Sequence, residues 1–145
     1  MDTVLEISNH IIEHPVRWGD MDALEHVNNT VYFRYLEEAR INYFLDSGIR
    51  SVVNELGIGF ILSYIDCKFK FPVTYPDTIR IETRVTEQQA DRFTLHQTIY
   101  SKKHSMIAAE GTSTLVSYDH QKKQKAELPA AAIKILSNGH ENSQH

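Results

Sequence analysis

The chain is predicted to be α+β: one strand, one long helix, then an uninterrupted series of strands. Three observations predict this. Residues 29–46 carry apolar groups at helical spacing, and residues 60–118 hold four strand-like runs parted by short polar turns. No further long helix alternates with those strands, as parallel βαβ units would require. Consecutive strands joined by short turns are mostly antiparallel neighbours, so the expected architecture is an antiparallel sheet wrapped around one helix. At 145 residues the chain suits one domain with a real core and is too short for two.

Residues 1–8 read as a short, weakly anchored start. Residues 9–18 read as the first strand, with Ile11, Val16 and Trp18 apolar, and Pro15 marks an edge position or a bulge. A polar loop follows, with Asp20, Asp22, Glu25, His26, Asn28 and Asn29 close together. Asn28 or Asn29 is suited to cap the helix, which is expected to run to about Asp46, with Gly48 as a left-handed stop. Tyr32, Tyr35, Leu36, Ala39 and Tyr43 recur at helical spacing, and Phe33, Ile41, Phe44 and Leu45 widen the apolar surface beyond one stripe. Such a helix is expected to be enclosed by a sheet. Arg34–Glu38 and Glu37–Arg40 have the spacing of ion pairs along it.

Residues 49–56 form a short helical or irregular link that ends at Gly57 and Gly59. These two glycines lack the third of a dinucleotide fingerprint, and no helix opens after them. Four strands are expected at 60–71, 78–86, 92–101 and 106–118, with turns at 72–77, 88–91 and 102–105. Residues 119–125 form a polar hairpin-like segment. Residues 127–136 suit a closing helix with Pro129 in its first turn. Residues 138–145 are polar and expected to be disordered, leaving a single domain over 1–137.

Composition excludes several classes. Apolar residues make up 41% and charged residues 23%, ordinary for a globular protein. The net charge is −4 and no long basic block occurs, which argues against nucleic acid as a partner. No run approaches the ~18 apolar residues of a membrane span, and the acidic N-terminus does not resemble a signal peptide. The lone Cys67 cannot form an internal disulfide, which fits a reducing compartment; a cytoplasmic protein is expected.

Chemistry concentrates in the loop before the helix. Carboxylates and an imidazole there face a helix N-terminus, whose free N–H groups carry partial positive charge. On residue types alone, such an acidic loop serves capping and solvation more readily than catalysis. The chain has no G-x-S-x-G nucleophile elbow. Cys67 sits mid-strand and reads as packing. Asp20, Asp22 and His26 match no established metal-ligand spacing, and no metal is expected.

The segment Arg17–Arg40 reads R-W-x-D-x-D-x-x-x-H-V-N-N-x-x-Y-x-x-Y-x-E-x-A-R. It resembles the hotdog-fold acyl-CoA thioesterases of the 4-hydroxybenzoyl-CoA thioesterase type. The resemblance implies a hotdog fold and hydrolysis of an acyl-CoA, or an acyl carrier protein thioester, to the free acid. It implies Asp22 as the catalytic aspartate and the Asn29 backbone N–H as the group that polarises the substrate carbonyl. The tail His26-Val27-Asn28-Asn29 also resembles plant acyl carrier protein thioesterases, where this histidine counts among the catalytic residues; Leu24 stands where those carry asparagine. By the same resemblance the active unit is a homodimer or homotetramer with its pocket between subunits. The acyl chain runs along the helix past Tyr32, Phe33 and Leu36, and Arg84, Lys102 or Lys103 meets the coenzyme A phosphates. Coenzyme A is then part of the substrate, and no separate cofactor is expected. Two alternatives stand beside this reading: a non-catalytic acyl-CoA-binding module, and a hydratase or dehydratase of the same fold.

The chemistry is economical. A thiolate leaving group, with a conjugate acid pKa near about 8.5, departs with little acid assistance. A carboxylate that activates water or attacks directly, and N–H donors for the oxyanion, then suffice.

Overall fold

The computed structural model describes residues 10–142. The expected loose start at 1–8, Asn9 and the last three residues of the tail lie outside that range. Six strands and three helices follow in order: β1 (His10–Pro15), α1 (Asn29–Ser47), α2 (Ile49–Glu55), β2 (Ile58–Phe69), β3 (Thr78–Gln88), β4 (Arg92–Ser101), β5 (Met106–Asp119), β6 (Gln124–Lys125) and α3 (Ala130–Asn142). The sheet is antiparallel in the order β1-β3-β4-β5-β2, with β6 paired to the end of β5. It curls around α1 in the hotdog arrangement. No helix among the described residues is long and apolar enough to cross a membrane.

Several boundaries differ from expectation. The first strand stops at Pro15, and Trp18–Asp20 form a 3₁₀ turn. The cause is Asp20: its N–H donates to the Arg17 carbonyl (2.9 Å), and its carboxylate accepts the Arg17 N–H (2.9 Å). Trp18, expected on an apolar strand face, is 74% exposed. Pro15 does lie on an edge strand, as its missing N–H requires. Helix α3 runs to Asn142, into the segment expected to be disordered.

The largest difference concerns β2. Sequential strands were expected to be neighbours, but β2 pairs with β5, from Ile58↔Asp119 to Phe69↔Ala109, and lies at the opposite edge from β1. The link 70–77 carries Pro72 and Pro76, and its backbone donors are used elsewhere. The Lys70 and Phe71 N–H groups donate to the Ala108 carbonyl, and the Val73 N–H donates to the Tyr32 hydroxyl (3.0 Å). The link therefore passes the start of α1 before joining β3.

The inward faces of β3 and β4 alternate as the sequence suggests: Ile79, Ile81, Thr83 and Val85, then Phe93, Leu95, Gln97 and Ile99, are all buried. Helix α1 rests on this face. A Cβ at Gly111 would lie 2.7 Å from Leu36 Cδ1 and 3.1 Å from the Asp66 carbonyl, so glycine permits the helix's close approach. Gln97 Nε2 donates to the Leu36 carbonyl (3.0 Å) and to Thr83 Oγ1 (3.1 Å), which satisfies a buried amide and ties helix to sheet. Gly48 adopts φ 82°, ends α1 and turns the chain into α2.

The two ion pairs expected along α1 are not formed among the described residues. Glu38 meets His14 of β1 instead (2.9 Å), a partner that only the tertiary fold supplies. Arg40 is buried, and Glu37 remains exposed beside it without an ion-pair contact.

Candidate active site

The loop between the 3₁₀ turn and α1 is a small closed structure. Met21 and Val27 form an isolated antiparallel bridge. Within it the Asp22 N–H donates to the His26 carbonyl and the Glu25 N–H to the Asp22 carbonyl, both at 2.9 Å. Glu25 takes φ 64°, the left-handed turn that reverses the chain. Outside the bridge, the Asn28 N–H donates to the Asp20 carbonyl (3.1 Å) and the Val27 N–H to the Val73 carbonyl (2.9 Å). The loop is thus pinned to the 3₁₀ turn on one side and to the link after β2 on the other.

Asp20 braces this arrangement. One carboxylate oxygen accepts both the Arg17 N–H (2.9 Å) and the Tyr35 hydroxyl (2.7 Å). Burial, and then the Asp20 carboxylate, push the Tyr35 hydroxyl far above its ordinary pKa, so it stays a donor.

Asn28 is the cap. Its Oδ1 accepts the Thr30 N–H (2.9 Å) and the Thr30 hydroxyl (2.8 Å), and its carbonyl accepts the Val31 N–H (2.9 Å). These bonds occupy the second and third N–H groups of the helix. The first, on Asn29, has no acceptor among the described residues, which leaves a donor at the positive end of α1.

Asp22, His26 and Asn29, the three residues singled out in the sequence, line one open cavity of about 410 Å³ with Leu24, Val27, Asn28 and Tyr32. Phe69, Lys70, Phe71 and Pro72 complete its wall. Asp22 Oδ1 accepts the Leu24 N–H (2.9 Å), which orients the carboxylate, and Oδ2 accepts no hydrogen bond among the described residues. His26 is exposed at the cavity mouth. Tyr32 is buried, and burial raises its hydroxyl pKa, so it keeps its proton. That hydroxyl accepts from the Val73 N–H.

Sequence reasoning did not find the Phe69–Pro72 wall. It lies some forty residues from the loop and carries no motif; only the passage of the link past the helix start brings it there. Lys70, also missed, holds Glu110 at 2.8 Å, and Glu110 reaches His96 at 3.3 Å. Of the expected lining residues, Tyr32 faces the cavity, whereas Leu36 is buried over Gly111. The basic residues named for phosphate contact are dispersed. Lys102 is tied to Glu13 (2.9 Å) and borders a shallow surface hollow with Lys103. Arg84 lines a separate cavity with Tyr43 and Ser47, at the far end of α1. Burial pushes the Cys67 thiol up to about 11, so it is a protonated packing residue rather than a thiolate nucleophile.

The chain is similar to known thioesterases. The chain is 28% identical over 111 residues to the long-chain acyl-CoA thioesterase FadM of Escherichia coli K12, covering 77% of this chain and 83% of that protein. Among solved structures, the PA2801 protein of Pseudomonas aeruginosa superposes with a TM-score of 0.76 at 30% identity, covering 86% of this chain and 95% of that one. The 1,4-dihydroxy-2-naphthoyl-CoA thioesterase Slr0204 of Synechocystis shares the fold, with a TM-score of 0.79 at 17% identity over 90% and 96% of the two chains. The profile of the thioesterase-like superfamily matches residues 16–136, from the residue after β1 into the closing helix, and the chain belongs to that family.

Proposed function

We propose that the protein is an acyl-CoA thioesterase in which Asp22, His26 and the Asn29 N–H perform the hydrolysis. The observation that carries this reading is the single cavity that holds a carboxylate, an imidazole and a free helix N–H together. The substrate carbonyl oxygen accepts from Asn29. Asp22 Oδ2 takes a proton from water as that water attacks the carbonyl carbon. The tetrahedral oxyanion is held at the helix terminus, where donor and dipole both favour negative charge. Collapse breaks the C–S bond; the departing coenzyme A thiolate takes up the proton held on Asp22, which restores the carboxylate, and the free acid is the other product. His26 orients the water from the cavity mouth.

A fatty acyl group is the favoured substrate. The apolar wall of Leu24, Val27, Phe69, Phe71 and Pro72 suits a hydrocarbon chain, and FadM, named for long-chain acyl-CoA, supports the same choice. Lys70 on this wall is a cation suited to a phosphate of coenzyme A. The active unit is at least a homodimer, because β2 leaves an open edge with Ile61, Leu62, Tyr64 and Phe69 exposed beside the cavity wall. The cytoplasmic placement expected from the lone cysteine belongs to this reading.

A panel of acyl-CoAs with a thiol reagent tests it. Thiol release from aliphatic acyl-CoAs is the expected result. Loss of enoyl absorbance without thiol would mean a hydratase, and binding without turnover would mean a non-catalytic module.

A further inference from the structure

A second cavity lies between β1 and α1. It has a volume of about 400 Å³ and shares no lining residue with the cavity that holds Asp22. His14, Arg17, Asp20, Arg34, Tyr35 and Glu38 line it. Arg34 and Glu38 are four apart on α1 and so project from one face of the helix. The chain leaving β1 brings Arg17 and Asp20 to the same hollow.

Both acids of this cavity are already engaged. The Asp20 carboxylate accepts the Arg17 N–H and the Tyr35 hydroxyl, and Glu38 meets His14 Nε2 at 2.9 Å. His14 Nδ1 lies 2.8 Å from the Pro15 carbonyl. Both partners of the ring are acceptors, so the two bonds form together only when the ring carries two N–H groups and a positive charge. That charge offsets Glu38. The two guanidiniums are left over: Arg17 and Arg34 are exposed and make no ion pair among the described residues. The Arg17 charge is felt inside the cavity, at the Tyr35 hydroxyl, where it opposes the upward push of burial and of Asp20. With His14 against Glu38 and Asp20 against one guanidinium, the cavity keeps an excess of positive charge.

The planar fork of arginine binds phosphate and carboxylate oxygens in pairs. A phosphomonoester offers three oxygens and close to two negative charges at neutral pH, enough for two guanidiniums, whereas a carboxylate offers two oxygens and one charge. The polar lining suits a hydroxyl-bearing carrier. We propose that the cavity between β1 and α1 binds the phosphomonoester of a small polar molecule through Arg17 and Arg34, apart from the acyl-CoA site. The occupant stands beside the brace of the active-site loop, because the Asp20 carbonyl accepts the Asn28 N–H (3.1 Å) and Asn28 caps α1.

Isothermal titration calorimetry of the full chain with inorganic phosphate tests the site, against sodium chloride at matched ionic strength. Saturable binding is expected, weakened on the order of tenfold or more in Arg17→Gln and in Arg34→Gln, the scale of a lost hydrogen bond to a charged group. Both side chains are exposed, so the variants keep the parent's circular dichroism. Lys70→Met removes the cation of the Asp22 cavity and should leave phosphate binding unchanged. Arg34→Gln should leave KM for acyl-CoA unchanged. No saturable heat in the parent, or equal binding by the parent and both arginine variants, overturns the site. Binding lost in Lys70→Met and kept in Arg34→Gln places the phosphate in the Asp22 cavity and overturns it as well. A KM raised in Arg34→Gln together with lost phosphate binding makes the cavity part of the acyl-CoA path and overturns its independence. If Arg17→Gln does not fold, Arg34→Gln decides. The calorimetry needs no turnover, so its outcome is separate from that of the thioesterase reading.

Discussion

In the proposed mechanism Asp22 is the base, and its substitution by asparagine separates that role from one in loop structure. Asn and Asp rank alike in accepting a local N–H bond, so Asp22→Asn keeps the Leu24 contact and the loop. It removes the charge that makes a base. The expected result is a folded enzyme that still binds acyl-CoA, with little change in KM and with kcat lowered by at least roughly 10², the low end of general-base assistance. His26→Ala is expected to cost less, because His26 stands exposed at the mouth and only orients water in the proposed mechanism; steady-state kinetics on one acyl-CoA ranks the two. Tyr35→Phe acts differently. It removes a donor from the Asp20 carboxylate and is expected to lower stability by about 1.5–3 kcal/mol, the usual range for a hydrogen bond to a charged group. Its effect on kcat should be smaller than that of Asp22→Asn, measured alongside urea denaturation.

At the scale of elements, the start of α1 joins stability to function. Asn28 satisfies two groups of the first turn with one side-chain oxygen, and the Asn29 N–H beside them is the donor of the proposed mechanism. Asn28→Ala is expected to cost about 1 kcal/mol of stability, read as a shift of the denaturant midpoint, and to lower kcat as well because the oxyanion donor loses its fixed direction. On the outer face of the sheet, Lys70, Glu110 and His96 form a chain across β5 and β4. Lys70, through its hydrogen bond, holds the Glu110 carboxyl below its ordinary value of 4.5. The folded chain therefore binds that proton less readily than the unfolded chain. This contribution to stability is present above the ordinary value and is lost as pH falls through the lowered one. Lys70→Met should flatten the fall in stability from about pH 6 to about pH 3 relative to the parent, checked by denaturation at each pH.

For the molecule as a whole, β1 and β2 are the two edges of the sheet formed by the described residues. Strand β1 is short and carries Pro15, features that discourage pairing. Strand β2 is twelve residues long, carries exposed apolar side chains, and invites a second copy. Self-association through β2 should protect its edge N–H groups from hydrogen exchange at concentrations where the protein is associated and release them on dilution. Equal exchange at both concentrations would place the contact elsewhere.

The arrangement of the loop and its helix was legible in the sequence because it is local. Asp22, His26 and Asn29 lie within eight positions, the cap at Asn28 is a short-range hydrogen bond, and the apolar spacing of Tyr32, Tyr35, Leu36 and Ala39 marks the helix. Strand alternation in β3 and β4 was legible for the same reason: period two assigns a face without knowledge of the partner. What only the tertiary structure decided depends on contacts between distant positions. The pairing of β2 with β5 comes from a link whose prolines and committed N–H groups prevent a tight hairpin. That link brings Phe69–Pro72 to the cavity. The partners of Glu38 and Asp20, His14 and Tyr35, were decided in the same way. Helical spacing offers Arg34 to Glu38, but β1 brings His14 within 2.9 Å of Glu38, and an exposed pair along a helix gains too little to compete with a partner the fold holds in place.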